Sequence, residues 1–556
     1  MNRPWLAHYP AGLPAEIDPD RYPSVNHLFD EAFRQYGTRP YAVCMDRFLT
    51  YAELERLSRA FGAWLQSRGL APGARVAIML PNVLQFPVVL AGALRAGCTV
   101  VTVNPLYTAR ELEHQLADSG AEAIVVLENF AHVLAQVLPR VPITHVVVAA
   151  MGDLFPFPKR LIVDYVVRRV KKLVPPFALP GCVQFRSALA EGERRALAPP
   201  ARTGGDIAFL QYTGGTTGLS KGAIITHRNV VAAMLQFDAA FQVTLGALPE
   251  RPAQLNVVTA LPLYHSYALT ACALLAMRQG NLLTLIPNPR DIPAFVRELG
   301  KRAFHVLPGL NTLFIALTAN EDFRKLDFSQ LVITGAGGMA TNKAVADRWQ
   351  AITGCVVAEG WGMSETTSAG TVNRADAPEL SGTIGSPLPS IDLVVRDEHN
   401  RDVPVGQPGE LCIRGPNVTP GYYKQPDETA RSMTPDGFFR TGDIGTMDER
   451  GEFRIVDRKK DMILVSGFNV FPSEIESVVG AHPGVAECAA IGVEDPESGE
   501  AVKLFVVRRD PGLTEDAVRA HCREQLTGYK RPAHIEFRSD LPKTPVGKVL
   551  RRALRD

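Results

Sequence analysis

The sequence predicts an α/β protein with a large, multi-sheet N-terminal domain followed by a small α+β C-terminal domain. Strand-like apolar runs alternate with amphipathic stretches through roughly the first 400 residues, and near Ile391 the texture changes to short β segments separated by Gly, Pro and Asp. The length, 556 residues, exceeds the roughly 250 to 300 at which a single core stops growing.

Residues 75–80 (RVAIML) read as a buried strand, 83–97 as a helix, 98–103 (CTVVTV) as a strand, 108–119 as a helix and 123–127 as a strand. This alternation implies parallel strands joined by helical crossovers. Further strands are expected at 207–211, 256–261, 282–286 and 331–334. After Ile391, two stretches, LVVRDEHNRDVPVGQPGELCIRG and GFFRTGDIGTMDERGEFRIVDRKKD, read as hairpins that turn at 398–400 and 449–451. A strand at 462–465, a helix from Ser473, strands near 488–493 and 504–507 and a helix from Thr514 complete the smaller unit. The boundary is expected at Asp457 to Lys460, giving domains 1–459 and 460–556.

With 59 Lys+Arg against 58 Asp+Glu, the chain has no global field to attract nucleic acid, and no nucleic-acid partner is expected. Eight scattered cysteines without a C-x-x-C pair suggest neither a zinc site nor a redox motif and fit a reducing cytosol. The first twenty residues lack the apolar core and cleavage site of a secretory signal, so a cytoplasmic location is expected. No stretch reaches about 18 apolar residues without a charge or a breaker. The nearest, 255–277, contains Asn256, Pro262 and His265 and reads as a buried element.

The densest chemical signal runs from Tyr212 to Gly222, where apolar residues lead into four glycines, three threonines and Lys221. Such a loop can surround polyphosphate with backbone N–H groups and hydroxyls. Ser220 precedes Lys221 where a Walker A loop needs glycine, which disfavours a P-loop NTPase. A second run, Gly335-Ala336-Gly337-Gly338-Met339-Ala340, follows a strand-like segment and mimics a dinucleotide fingerprint, with Glu359 24 residues after Gly335. It supports a rival reading, an NAD-dependent oxidoreductase. However, Glu359 opens another Gly- and hydroxyl-rich stretch, Glu359 to Thr367, so three loops around one nucleotide are expected instead.

With Tyr212 to Gly222, Glu359 to Thr366, Thr441-Gly442-Asp443, Asp457 to Asp461 and Pro542 to Lys548 in this order, the chain resembles the acyl-adenylate-forming superfamily. Within it, the chain is similar to bacterial long-chain fatty acyl-CoA synthetases over essentially its whole length, through Asn104 to Tyr107, Leu261 to His265 and Ser466 to Val470. The resemblance implies ATP and Mg²⁺ as cofactors, coenzyme A as co-substrate, and a fatty acid activated to its acyl-adenylate and passed to coenzyme A. It implies a mobile C-terminal lid hinged at Lys460. Thr213 and Glu365 would hold Mg²⁺. ATP would meet Thr213, Gly214, Gly215, Thr216, Thr217, Gly218, Lys221, Gly335, Ala336, Gly337, Trp361, Gly362, Asp443 and Arg458. Lys548 would bridge the carboxylate and the α-phosphate, and coenzyme A would meet Ser466, Gly467 and Phe468. A carboxylate is repelled by triphosphate, so the chemistry asks for concentrated positive charge at the point of attack.

Residues 257–277 contain no Asp, Glu, Lys or Arg, and in the family this segment borders the acyl pocket, here Ser266, Tyr267, Leu269, Thr270 and Gly309. An apolar acid follows, because an unpaired buried charge is prohibitive. Ligation or adenylation of another apolar acid, an aryl acid or a fatty-acid signal molecule, is the alternative. His265 reads either as a packed core residue or as a catalytic-site residue near the carboxylate. Small residues, Ala260, Ser266, Ala268 and Gly309, are expected to leave room for an alkyl chain.

A helix over 161–174, flanked by Lys159 and Arg160, would gather Ile162, Val163, Val166, Val167, Val170, Leu173 and Val174 on one face. Such a face either covers its own core or rests peripherally on the inner face of the cytoplasmic membrane. The sequence decides neither chain-length preference nor oligomeric state, including a homodimer.

Overall fold

The structure, a computed structural model, describes residues 3–213, 220–465, 468–495, 498–544 and 548–555. The chain forms two compact units. The N-terminal unit comprises Leu6–Asp392 and Arg414–Met433, and the C-terminal unit Met1–Trp5, Leu393–Ile413 and Thr434–Asp556.

The N-terminal unit is built on a seven-stranded sheet in the order Val183–Gln184, His145–Ala149, Ala123–Leu127, Arg75–Met79, Thr99–Thr102, Ile207–Thr213 and Lys221–Thr226. All neighbours are parallel except the last pair, a hairpin in which Thr213 faces Lys221. The alternating run expected from 75 to 127 is present, with helices at Gln85–Arg95 and Ala109–Ser119 as the crossovers. Thr108 caps the second helix, with Glu111 completing a capping box, and Gly120 ends it in the left-handed region at φ 60°.

A second sheet has the order Asn256–Thr259, Leu282–Leu285, Pro40–Cys44, Arg47–Thr50. A third runs Thr334–Gly337, Val357–Trp361, Thr371–Val372, Ser386–Pro387. Single bridges, Val257 to Val306 and Val306 to Ile333, lead from one to the other.

The third sheet corrects the strand expected at 331–334: the extended run starts at Thr334 and contains the glycines themselves. Gly309 pairs with Ala336 on one side, and Val357–Trp361 lies parallel on the other. The next helix, Lys343–Thr353, has its own cap, Asn342. No helix opens at these glycines to receive a pyrophosphate, and Glu359 is buried with its carboxylate accepting the Thr341 N–H at 2.5 Å. The dinucleotide reading therefore fails on geometry.

In the C-terminal unit, a meander of Asp392–Arg396, Gly409–Arg414, Phe439–Met447 and Phe453–Arg458 precedes a sheet of Phe468–Val470, Ile463–Val465, Gly499–Arg508 and Val485–Asp495, with His534–Arg538 added beside Gly499–Arg508. The helices Pro472–Gly480 and Glu515–Gln525 supply Ile475, Val479, Val518 and Cys522 to its core. Division by packing thus falls at 392/393, 413/414 and 433/434, and the expected boundary at 459/460 lies inside this unit.

The segment 159–174 is also corrected. An α-helix, Lys159–Tyr165, gives way to π-helical turns at Val166–Val170, which changes the number of residues per turn. Val163 and Val167 pack inward with Phe155, whereas Ile162, Val170 and Leu173 of the expected apolar face are exposed. Among the described residues, no helix is long and apolar enough to cross a membrane.

Candidate active site

In the N-terminal unit the paired strands Ile207–Thr213 and Lys221–Thr226 flank the loop expected to carry phosphates. Gly214, Gly215, Thr216, Thr217 and Gly218 lie outside the described residues. The Thr213 hydroxyl donates to the Lys221 carbonyl at 3.5 Å. Lys221 pairs with Glu428, and its ammonium lies 5.6 Å from the centroid of the Tyr422 ring. The Tyr422 hydroxyl donates to Glu365 Oε1 at 2.8 Å, so one tyrosine joins the loop lysine to the buried acid. Burial and the Glu365 carboxylate push the Tyr422 phenol up, which keeps it a donor.

Glu365 sits in the 3₁₀ turn Ser364–Thr366, packed against both strands of the hairpin, and is 5 % exposed. After it, Thr367 and Ser368 take φ of 51° and 64°, the left-handed region that side chains rarely enter. Buried Asn417 holds this turn: its Nδ2 donates to the carbonyls of Thr366 at 2.8 Å and Ala369 at 2.7 Å, and its own carbonyl accepts the Thr367 hydroxyl at 2.8 Å. The Thr419 N–H donates to the Glu365 carbonyl at 2.7 Å. Sequence reasoning missed Asn417, Tyr422 and Glu428, which stand more than fifty residues from the motifs they serve.

Tyr267 lies against the glycine strand. A Cβ on Gly335 would meet its hydroxyl at 3.1 Å and one on Gly337 its ring at 3.4 Å, so the residues expected at the acyl and nucleotide sites adjoin each other. Ser266, Leu269 and Thr270 are buried, the last two in π-helical turns spanning Ala268–Leu274, a geometry common at functional sites. The space expected at Gly309 is filled by Phe314, whose ring would stand 2.6 Å from a Cβ there. His265 accepts the Tyr267 N–H on Nδ1 at 3.4 Å. Trp361 and Gly362 lie at and just beyond the end of Val357–Trp361.

In the C-terminal unit, Asp443 and Arg458 face each other across adjacent strands, and Arg458 Nε lies 2.6 Å from Asp443 Oδ1. Lys548 stands near enough to both for its ionisation to respond: burial, with the Arg458 guanidinium, pushes its ammonium down to about 8 against the pull of Asp443. Lys460 is lowered by burial, with Asp461 opposing. Four of the expected residues therefore form one electrostatic cluster. Lys548 N–H donates to Thr544 Oγ1 at 3.1 Å, and Thr544 N–H to the Lys548 carbonyl at 2.6 Å.

Three residues on, Arg551 reaches Glu476 at 2.7 Å and Asp461 at 3.2 Å. Asp457 accepts the N–H groups of Arg458 at 2.7 Å and Ser473 at 2.8 Å, which ties the end of Phe453–Arg458 to the start of Pro472–Gly480. Arg551 was not among the expected site residues. Phe468 is 55 % exposed and stacks on Tyr529 at 4.7 Å, while Ser466 and Gly467 lie outside the described residues.

A hydroxyl- and lysine-bearing hairpin beside a buried glutamate lies in one unit of this α/β protein, and a lysine, arginine and aspartate cluster in the other. The AMP-binding enzyme model matches residues 29–423 and the AMP-binding enzyme C-terminal domain model residues 474–548. The chain belongs to the AMP-binding enzyme family. It is 51% identical to a long-chain-fatty-acid–CoA ligase of Escherichia coli over 557 residues, covering 100% of this chain and 98% of that one. It is 47% identical, with the same coverage, to one from Haemophilus influenzae. Among solved structures, ATP-bound MatB from Rhodopseudomonas palustris matches with a TM-score of 0.80 and 28% identity, over 96% of this chain and 98% of that one.

Proposed function

We propose that the chain is a long-chain-fatty-acid–CoA ligase. ATP and the fatty acid give an acyl-adenylate and pyrophosphate, and coenzyme A then takes the acyl group and releases AMP. The observation that carries this is the cluster of Lys548, Asp443 and Arg458, together with the full-length likeness to curated ligases of that activity.

In the first step a carboxylate oxygen attacks the α-phosphorus, and the bond to pyrophosphate breaks. Lys548, protonated at neutral pH, stabilises the negative charge gathering between the two anions. Asp443 binds the ribose hydroxyls, Trp361 stacks on adenine beside Gly335 to Gly337, and the loop to Lys221 carries the phosphates. In the second step the thiol sulfur attacks the acyl carbon and AMP leaves with its oxygen, with Phe468 flanking coenzyme A. A pivot at Lys460 presents a different face of residues 460–556 to each step.

Thr213 and Glu365 carry hard oxygen donors, one hydroxyl and one carboxylate, and would hold a Mg²⁺ ion. Mg²⁺ held there supplies charge neutralisation to the triphosphate. The uncharged run 257–277, with Ser266, Leu269 and Thr270 buried and Tyr267 half-buried, suits an apolar acid, and His265 is assigned to its carboxylate end by the likeness to the family.

Residues 159–174 contact a membrane surface. Five of the thirteen exposed large apolar side chains among the described residues, Leu161, Ile162, Tyr165, Val170 and Leu173, fall in this stretch and a sixth, Phe157, just before it, beside Lys159, Arg160, Arg169, Lys171 and Lys172. That combination suits an anionic interface.

The test is fatty-acid-dependent pyrophosphate release with and without coenzyme A. Release with thioester formation is the expected result. No release with any fatty acid refutes the proposal, and release without a thioester makes the chain an adenylate donor to another acceptor.

A further inference from the structure

Between the strand Asn256–Thr259 and the helical turns that follow, residues 260–265 cross the core with neither strand nor helix pairing. A buried irregular segment must still find partners for its N–H and C=O groups. Here two side-chain amides from the neighbouring sheet supply them. Asn82 Nδ2 donates to the carbonyls of Thr259 at 2.8 Å and Leu261 at 2.9 Å, while its Oδ1 accepts the Leu263 N–H at 2.8 Å. Gln211 Nε2 donates to the Tyr264 carbonyl at 3.1 Å, and its Oε1 is fixed by the Thr102 hydroxyl at 2.9 Å. Both amides are buried, at 3 % and 5 % exposure. Pro262, inside the segment, has no N–H to satisfy.

The two amides come from informative places. Asn82 follows the strand Arg75–Met79, and Gln211 lies in Ile207–Thr213, two residues before Thr213. The segment they hold delivers His265 and Ser266 directly. We infer that Asn82 and Gln211 form an amide clamp that positions Leu261–His265, and that Gln211 couples this segment to the strand leading into the phosphate loop. Both are positioning residues: neither needs to touch substrate, and both act through the backbone that carries His265 and Ser266. The consequence for turnover rests on the reading of Ser266 to Thr270 as the acyl-site border, whereas the clamp itself rests only on the hydrogen bonds.

The experiment uses Asn82→Ala and Gln211→Met in the full chain, with two readouts. In hydrogen–deuterium exchange of the ligand-free protein, peptides spanning 259–267 should exchange about fivefold faster, the scale of one lost hydrogen bond, while those spanning 145–149 stay unchanged. In steady-state assays Asn82→Ala should raise KM for the fatty acid about fivefold or more and leave KM for ATP within about twofold. Gln211→Met, which touches both regions, should move both constants. Unchanged exchange at 259–267 in the variants overturns the clamp. Faster exchange with the Asn82→Ala constants for acid and ATP rising together overturns its role at the acid. If the unsubstituted chain turns over no fatty acid, the functional reading fails while the exchange result still decides the clamp. If Asn82→Ala does not accumulate as folded protein, Gln211→Met carries the exchange arm, and its fatty-acid KM must rise.

Discussion

Replacing Lys548 with alanine should cripple adenylate formation and spare thioester formation. A unit charge about 4 Å from a developing anion, at an effective dielectric near 20, is worth about 4 kcal/mol, or roughly a thousandfold in rate. Pyrophosphate release should fall by about that factor, and thioester formation from supplied acyl-adenylate by less than about threefold. The structure adds a second signature. Because burial and Arg458 hold the Lys548 ammonium down at about 8, kcat/KM for pyrophosphate release should decline about tenfold per pH unit above that value. Lys548→Arg should abolish this decline, since a guanidinium stays charged. Stability moves the opposite way. The unfolded lysine keeps its proton until its ordinary 10.5, so between about 8 and 10.5 the unfolded state binds more protons and this group makes the folded state more stable as pH rises. Loss of activity in that window with a melting temperature that does not fall is therefore the expected result. Equal loss of both half-reactions in Lys548→Ala, or a wild-type profile flat to pH 10, refutes the reasoning.

Asn417→Ala should destabilise the chain by about 2–3 kcal/mol, because it strands the buried carbonyls of Thr366 and Ala369 beneath a turn already holding two left-handed residues. Urea unfolding followed by tryptophan fluorescence measures this, and a change under about 0.5 kcal/mol contradicts it. Leu161→Glu combined with Ile162→Glu should cut binding to phosphatidylglycerol vesicles at least about tenfold while leaving vesicle-free turnover within about twofold. Undiminished vesicle binding counts against the proposed membrane face.

Much of the fold was legible because its signals are local. The βαβ alternation between Arg75 and Leu127 appears nearly residue for residue, since parallel strands buried on both faces read as unbroken apolar runs. The sequence motifs also marked Lys221, Glu365 and Lys548, and the structure buries Glu365 and sets Lys221 opposite Thr213. One misreading concerns spacing. The 161–174 face was drawn too wide: Val163 and Val167, four residues apart, turn inward while Ile162 and Val170 face out, and the π-helical turns at Val166–Val170 break the 3.6-residue count for the positions that follow. At Gly335 a Cβ would stand 3.1 Å from the Tyr267 hydroxyl, so the approach of that ring favours glycine there beside any role toward the nucleotide.

What the sequence hid most completely is how the site's irregular segments are held. A side-chain amide carries two donors and an acceptor, so one buried Asn or Gln can satisfy a non-repeating backbone at several points. This chain uses the device repeatedly. Asn82 and Gln211 hold 259–264. Asn417 holds the turn after Glu365, and Gln236 donates to Asn417 Oδ1 at 3.2 Å. Asn229 caps its own helix through Thr226 and donates to the carbonyls of Pro416 and Val418 at 2.8 and 2.9 Å, which brackets Asn417 itself. In sequence these residues look like any surface amide, and their partners lie up to about 190 positions away. Yet a buried amide that loses its partners costs more than an apolar residue in the same place, so each is a strong constraint on one backbone arrangement. The glycines and threonines of the phosphate loop announce nucleotide chemistry, but the fixed geometry that chemistry needs depends on amides that no motif contains.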